Sequence, residues 1–233
     1  MVSNCSHTNT SFINTSSMNA SISSSIFFLP NVFDTFDDLT QNLALLFYFV
    51  LFFSTGFAWR SWATYRATGI NPLVLPSEDN ALGYIGRAFK IVMVSIFLYT
   101  ASAAFEWLPS FTKLWQLPVW LSVCAWFILL ASWIWLLLAQ LHMGKSWRIG
   151  IDEQHATALV THGLFKYSRN PIFLSMRCAL FSLTLIFPTA PILALTVAAE
   201  LLMQIQVRME EAHLTQLHGQ CYLNYIQRVN RWL

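Results

Sequence analysis

Charge is scarce in this 233-residue chain: Asp, Glu, Lys and Arg make up 10% of it, against roughly 25% in an average soluble domain. With 56% hydrophobic residues, that scarcity excludes a water-soluble globular protein and specifies an all-α membrane protein. Cysteine is sparse too. Cys5, Cys124, Cys178 and Cys221 stand apart with no C-x-x-C spacing, which argues against a disulfide framework and a zinc site. His142, His155, His162, His213 and His218 form no i, i+4 pair and have no carboxylate at metal-ligand spacing, so no metal is expected. No soluble stretch exceeds about forty residues and no G-x-G-x-x-G follows a strand pattern, so a Rossmann-type cofactor domain does not fit. The net charge of +2 carries little information, and no nucleic-acid partner is expected.

What the chain does have is long apolar runs. Residues 1–38 read as a Ser/Asn-rich, disordered tail with sequons at Asn4, Asn9, Asn14 and Asn19, and residues 39–233 as one membrane domain. Apolar runs of about 20 residues cross a ~30 Å hydrocarbon core. Such runs extend from Leu39 to Trp59, from Ala88 to Leu108 and from Leu114 to Met143. A fourth region is too long for one helix and is broken by Pro188 and Pro191, which remove backbone donors and disfavour helix just before them. It is expected to form a hairpin with limbs Pro171 to Phe187 and Ala190 to Val207, for about five transmembrane helices in all.

Basic residues orient this topology. Arg60, Arg66, Arg87, Lys90, Lys145, Arg148, Lys166, Arg169, Arg177, Arg208, Arg228 and Arg231 fall on one side and Lys113 alone on the other. By the positive-inside rule the N-terminus is outside and the C-terminus cytoplasmic. Arg177, inside the fourth helix, either faces a cavity or partner or snorkels to the surface.

Polar residues gather in two clusters on the cytoplasmic side. In "VTHGLFKYSRNPIF", Pro171 suits the first turn of a helix, where its missing N–H costs nothing. Arg169, Asn170 and the positive end of that helix make a seat for a small anion; the same residues also read as a basic interfacial anchor. In "RMEEAHLTQLHGQCYLNYIQRV", Gly219 offers a helix stop after His218. Tyr222, Tyr225, Ile226 and Val229 then follow at i, i+3, i+4 and i+7, the pattern of a short amphipathic helix lying on the membrane surface.

Together these motifs, over roughly residues 143–229, resemble the isoprenylcysteine carboxyl methyltransferase family and the related phospholipid N-methyltransferases. The shared features are a glycine and aromatic before Arg169-Asn170-Pro171, then Glu210-Glu211 with Leu214, then Gly219 with Tyr222 and Tyr225. Asn170 stands where many eukaryotic members have His, and Leu217-His218 where Phe-Phe is usual. The resemblance implies S-adenosylmethionine as cofactor, with His162, Gly163, Leu164, Tyr167, Arg169, Asn170 and Pro171 on one binding motif, Glu210 and Glu211 on the second, and Tyr222 near the pocket. Arg169, Glu211 and Arg208 are the expected catalytic residues. The implied acceptor is a lipid-like or prenylated molecule arriving from the bilayer, with carboxyl O-methylation favoured over N-methylation. A carboxylate acceptor needs a cation, for which Arg169, Arg208 and Arg228 are candidates, and an amine must lose a proton. Two rivals stand beside this reading. Membrane sterol reductases carry a similar motif and use NADPH, but continue it with Gly-Glu where this chain has Leu174 and Ser175. A small channel, transporter or scaffold would place its polar residues near the bilayer midplane.

Overall fold

The computed structural model describes residues 32–72, 81–107, 113–148 and 158–233. The four sequons, Cys5 and His155 lie outside the described residues, as do Met1 to Asn31 of the expected tail. The chain divides into two compact units, Met1–Gln41 and Asn42–Leu233. Of the first, the described part is the opening of helix α1. The second holds every other element and the apolar core.

Every regular element among the described residues is a helix, with no strand among them. In chain order they form α1 (Val32–Phe53), a π-helical turn (Ser54–Trp59), α2 (Arg60–Thr68), α3 (Ala81–Ala104) and α4 (Val119–Met143). Two 3₁₀ turns (Gly144–Ser146 and Gly163–Lys166) lead to α5 (Pro171–Ile186), α6 (Ala190–His218) and α7 (Gln220–Ile226). Among the described residues, four helices are long and apolar enough to cross a membrane: Asp38–Thr68, Gly83–Ala104, Val119–Ser146 and Ala190–His218. The fifth expected helix, α5, has 16 residues, about 24 Å at 1.5 Å per residue, so it needs its flanking residues to reach across. At 29 residues, about 43 Å, α6 instead outruns the hydrocarbon and protrudes.

Most boundaries fall where the sequence placed stops. Phe187 to Thr189 form the hairpin, tied by the Leu114 N–H donating to the Pro188 carbonyl at 2.7 Å. Gly219, at φ +54°, ends α6 after His218. Other boundaries differ: helix already begins at Val32, within the residues expected to form a disordered tail, and α3 runs Ala81–Ala104 where Ala88 to Leu108 was expected. α4 begins at Val119 rather than Leu114 because Pro118, extended at ψ 147°, serves as its N-cap. The first span does not stop at Trp59: the helix runs on through Arg60 to Thr68.

Arg60 can stay inside because α4 supplies acceptors for it. Its Nη2 donates to the Gln140 carbonyl at 2.8 Å and the Gly144 carbonyl at 2.7 Å, capping α4 where carbonyls lack helical partners. The π turn beside it frees a further carbonyl, that of Gly56, which takes Gln140 Nε2 at 2.7 Å. Glycine at position 56 gives this approach room, since a Cβ there would stand 2.9 Å from Leu136 Cδ2 and that side chain would have to shift.

Leu45, Phe52, Ile96, Leu129, Leu136, Leu183, Ile192 and Met203 are core residues drawn from α1, α3, α4, α5 and α6. Phe47, Phe127, Val197, Leu201 and Ile205 point outward. An apolar exterior on hydrogen-bonded helices is what a lipid solvent requires.

Candidate functional site

The loop before α5 is seated by α4. Gly163 adopts φ +60°, and a Cβ there would run into the His142 ring, so glycine is required on both counts. The next residue, Leu164, donates its N–H to His142 Nδ1 at 3.4 Å. From the other side, the Tyr225 hydroxyl donates to the Phe165 carbonyl at 2.6 Å. Ser168 is fully buried; its Oγ accepts from the Asn170 N–H at 3.2 Å and donates to the Arg231 carbonyl at 3.3 Å. The Arg169 N–H donates to the Asn230 carbonyl at 3.0 Å. The C-terminal residues thus clasp the loop through its backbone.

Glu211 is the hub of this clasp. Arg231 grips it with Nη2 at 2.7 Å from Oε2 and Nε at 3.1 Å from the same oxygen. Asn170 Nδ2 donates to Oε1 at 3.1 Å, and Arg169 Nε stands 3.5 Å from Oε1 in an ion pair. Hydrogen bonding to Glu211 raises the Arg231 pKa, the expected sign for a cation held by a carboxylate. Glu211 was expected to touch cofactor, but its carboxylate is only 12% exposed and is absent from the wall of the neighbouring cleft. What it does in this structure is hold Arg169 and Asn170.

That cleft, of about 100 Å³, lies between the loop, α6 and α7. Its polar wall carries Arg148, Arg169, Glu210 and His213, and its apolar wall Leu159, Val160, Phe165, Leu214 and Leu217. Tyr222 and Tyr225 complete it, their rings 5.9 Å apart. Glu210 and Glu211 are neighbours in sequence but sit about 100° apart around the helix, so one faces the cleft and the other the clasp. Arg169 Nε is buried against Glu211 Oε1 at 3.5 Å without forming a hydrogen bond, and the side chain borders the cleft. Burial, then the Glu211 charge, pushes the Tyr222 pKa up, and burial pushes that of Tyr225 up to about 12, so both rings are neutral phenols.

The expected site residues therefore separate into groups. Arg169, Glu210 and Tyr222 meet on the wall. Gly163, Leu164, Asn170, Pro171 and Glu211 shape and brace the loop behind it. His162 and Tyr167 are exposed, His162 edge-on to His142 at 6.3 Å, and neither lines the cleft. Arg208 is exposed and donates to Gln204 of its own helix at 2.7 and 2.8 Å. One turn before Glu211, it belongs to a polar stripe of α6 and is not among the residues lining the cleft, so the structure does not bring it together with Arg169 and Glu210. The surface helix also differs. Tyr222 and Tyr225 are buried against the loop and α6, because the protein itself covers the apolar face that the pattern assigned to lipid. Ser168, Asn230 and Arg231 escaped sequence reasoning: a serine and a terminal arginine carry no motif signal until the loop brings them together.

Residues 123–221 match the family model described as phospholipid methyltransferase. They carry a domain of that family of membrane methyltransferases. The match runs from α4 to the first residues of α7 and includes the loop, Glu210 and Glu211. Tyr222, Tyr225 and Arg231 lie beyond it. No curated protein matches the chain.

Proposed function

We propose that this chain is a membrane methyltransferase that uses S-adenosylmethionine and methylates a lipid-like acceptor arriving from the bilayer. The observation that carries the reading is the composition of the cleft wall, where a guanidinium, a carboxylate and two neutral phenol rings converge. Those groups fit the cofactor. Arg169 suits its carboxylate, Glu210 its amino group or ribose hydroxyls, the Tyr222 and Tyr225 rings its positive sulfur, and Phe165, Leu214 and Leu217 its adenine. When bound, the cofactor supplies a methyl group activated by a sulfonium. The chain's own residues hold donor and acceptor in line and keep water away, which is most of what such a displacement asks of a protein. At about 100 Å³ the cleft is below the roughly 300–1,000 Å³ of small-molecule sites, so binding opens its lip.

Two acceptor heads suit the wall. A carboxylate of the isoprenylcysteine type needs only a cationic seat, and Arg148 and Arg169 are there. A phospholipid amine must shed a proton, and Glu210 is the carboxylate placed to take it. The distribution of basic residues supports a cytoplasmic cleft and an N-terminus on the opposite side.

The first experiment is calorimetric titration of the detergent-purified chain with S-adenosylhomocysteine, with NADPH in parallel. Micromolar binding of the first alone is the expected outcome, and binding of NADPH alone overturns the reading. Radiolabelled methyl transfer to prenylated thiols against phospholipid amines then assigns the acceptor.

A further inference from the structure

Arg177 stands six residues into the otherwise apolar α5 and belongs to a second polar cluster that does not line the cleft. Its Nε donates to Glu200 Oε2 at 2.8 Å, and its guanidinium carbon lies 4.2 Å from the centroid of the Trp232 ring. Glu200 Oε1 accepts from Gln204 Nε2 at 2.7 Å, and Gln204 Oε1 from Arg208 Nη1 at 2.8 Å. Glu200, Gln204 and Arg208, at i, i+4 and i+8, form one stripe along α6.

An ion pair that served only to join two membrane helices would be enclosed by them. This one is open: the side chains of Arg177 and Glu200 are 30% and 34% exposed, on a surface shared with Leu201 and Ile205. Nε and one face of the guanidinium are used, while Nη1 and Nη2 meet no acceptor among the described residues. Donors without acceptors at the edge of hydrocarbon call for an acceptor from outside the protein.

The depth identifies its kind. The Arg177 Cα is six residues, about 9 Å, from the start of α5, and side chains on a helix reach back toward its N-terminus. With that end at the membrane surface, the guanidinium stands at the boundary of hydrocarbon and headgroups, the level of Trp belts and of lipid phosphates. We propose that Arg177 and Trp232 form a seat for the phosphate of a membrane phospholipid on the outer face of α5 and α6. Nη1 and Nη2 donate to two phosphate oxygens, a match of planar fork to tetrahedral anion that a lysine does not reproduce. Glu200 fixes the guanidinium through Nε, and Trp232 covers its face. Arg208, farther along the stripe, leaves the cluster one positive charge in excess over Glu200.

The test is native mass spectrometry of the full chain in detergent, titrated with phosphatidylglycerol or with diacylglycerol of the same chains. Inorganic phosphate is added as competitor, and binding of S-adenosylhomocysteine is measured on each sample. The wild type is expected to retain phosphatidylglycerol preferentially. Arg177→Met/Glu200→Met, which removes the pair together and strands neither charge, is expected to lose that preference by about tenfold or more with S-adenosylhomocysteine binding unchanged. Arg177→Lys keeps the pair and tests the fork even where the double variant fails to insert; a several-fold weaker lipid preference is expected. Equal retention of diacylglycerol by the wild type overturns the proposal, as does wild-type lipid affinity in either variant. Displacement of the lipid by millimolar phosphate overturns the lipid assignment in favour of a free anion.

Discussion

Two polar knots tie these helices together, and they are built for different ends. At the π turn, Arg60 Nη2 and Gln140 Nε2 donate to backbone carbonyls of Gln140, Gly144 and Gly56, and neither residue lines the cleft beside the loop. At the loop before α5, Glu211 spends its oxygens on Arg231, Asn170 and Arg169, and Arg169 turns onto a cleft wall. The first knot satisfies backbone; the second positions side chains. The comparison teaches that among polar groups in a membrane bundle, the partner type separates a structural role from a chemical one.

The largest effect is expected from breaking the second knot. Glu211→Gln strands two guanidinium groups, and truncating one member of a hydrogen-bonded charge pair costs roughly 2–5 kcal/mol. S-adenosylhomocysteine affinity is expected to fall about 100-fold or more, with the chain still inserted; calorimetry on monodisperse protein checks this. Unchanged affinity would mean that the clasp does not hold Arg169 in its working position.

Breaking the first knot is expected to cost stability instead. Gly56→Leu drives a side chain into Leu136, and overpacking costs roughly 1–3 kcal/mol. A lower melting temperature with ligand affinity near wild type is the expected result. A loss of affinity as large as that of Glu211→Gln, in a variant that remains folded, would erase the distinction between the knots.

The smallest effect sharpens the comparison. Tyr225→Phe removes one hydrogen bond to the Phe165 carbonyl, worth about 1 kcal/mol, and keeps the ring on the cleft. The pKa of Tyr225 is raised by burial to about 12 from its ordinary 10, so folding favours the protonated phenol. Its contribution is complete below pH 10 and is lost as pH rises through 12. Wild type and Tyr225→Phe are therefore expected to differ by a constant margin in melting temperature from pH 6 to 9, and to converge above pH 10. A margin that changes within the lower range contradicts that assignment.

Much of this was legible in the sequence, and the exceptions share a cause. Proline and glycine act locally, so the Pro188–Pro191 hairpin and the Gly219 stop could be read from the chain alone. Arg60 looked like the end of a span because its acceptors belong to α4, 80 residues away. The period of Tyr222 and Tyr225 announced an apolar face correctly, but a periodicity states that a face is covered and not by what. Arg169 and Glu210 were found on the cleft wall by their motifs. Glu211 was singled out by its motif, but its bracing contacts were not legible, since the charge that meets it comes from Arg231, outside any motif. Arg208 shares a helix with Glu210 but not the cleft wall, because position along a helix does not fix which way a long side chain turns.

The π turn has one further consequence. A π turn is an α-helix carrying one residue more than its turns require, so the two halves of the first long helix are indexed independently. Leu45, Tyr48 and Phe52 keep their register against the apolar core, while Arg60 keeps its own against the end of α4. Regularising residues 54–59 to α-helix with no residue removed would swing Arg60 by about 100°, away from the carbonyls it caps, whereas a one-residue deletion there would leave it in phase. The irregular turn works as a phase adjuster, letting one continuous rod meet two sets of partners that do not share a common pitch.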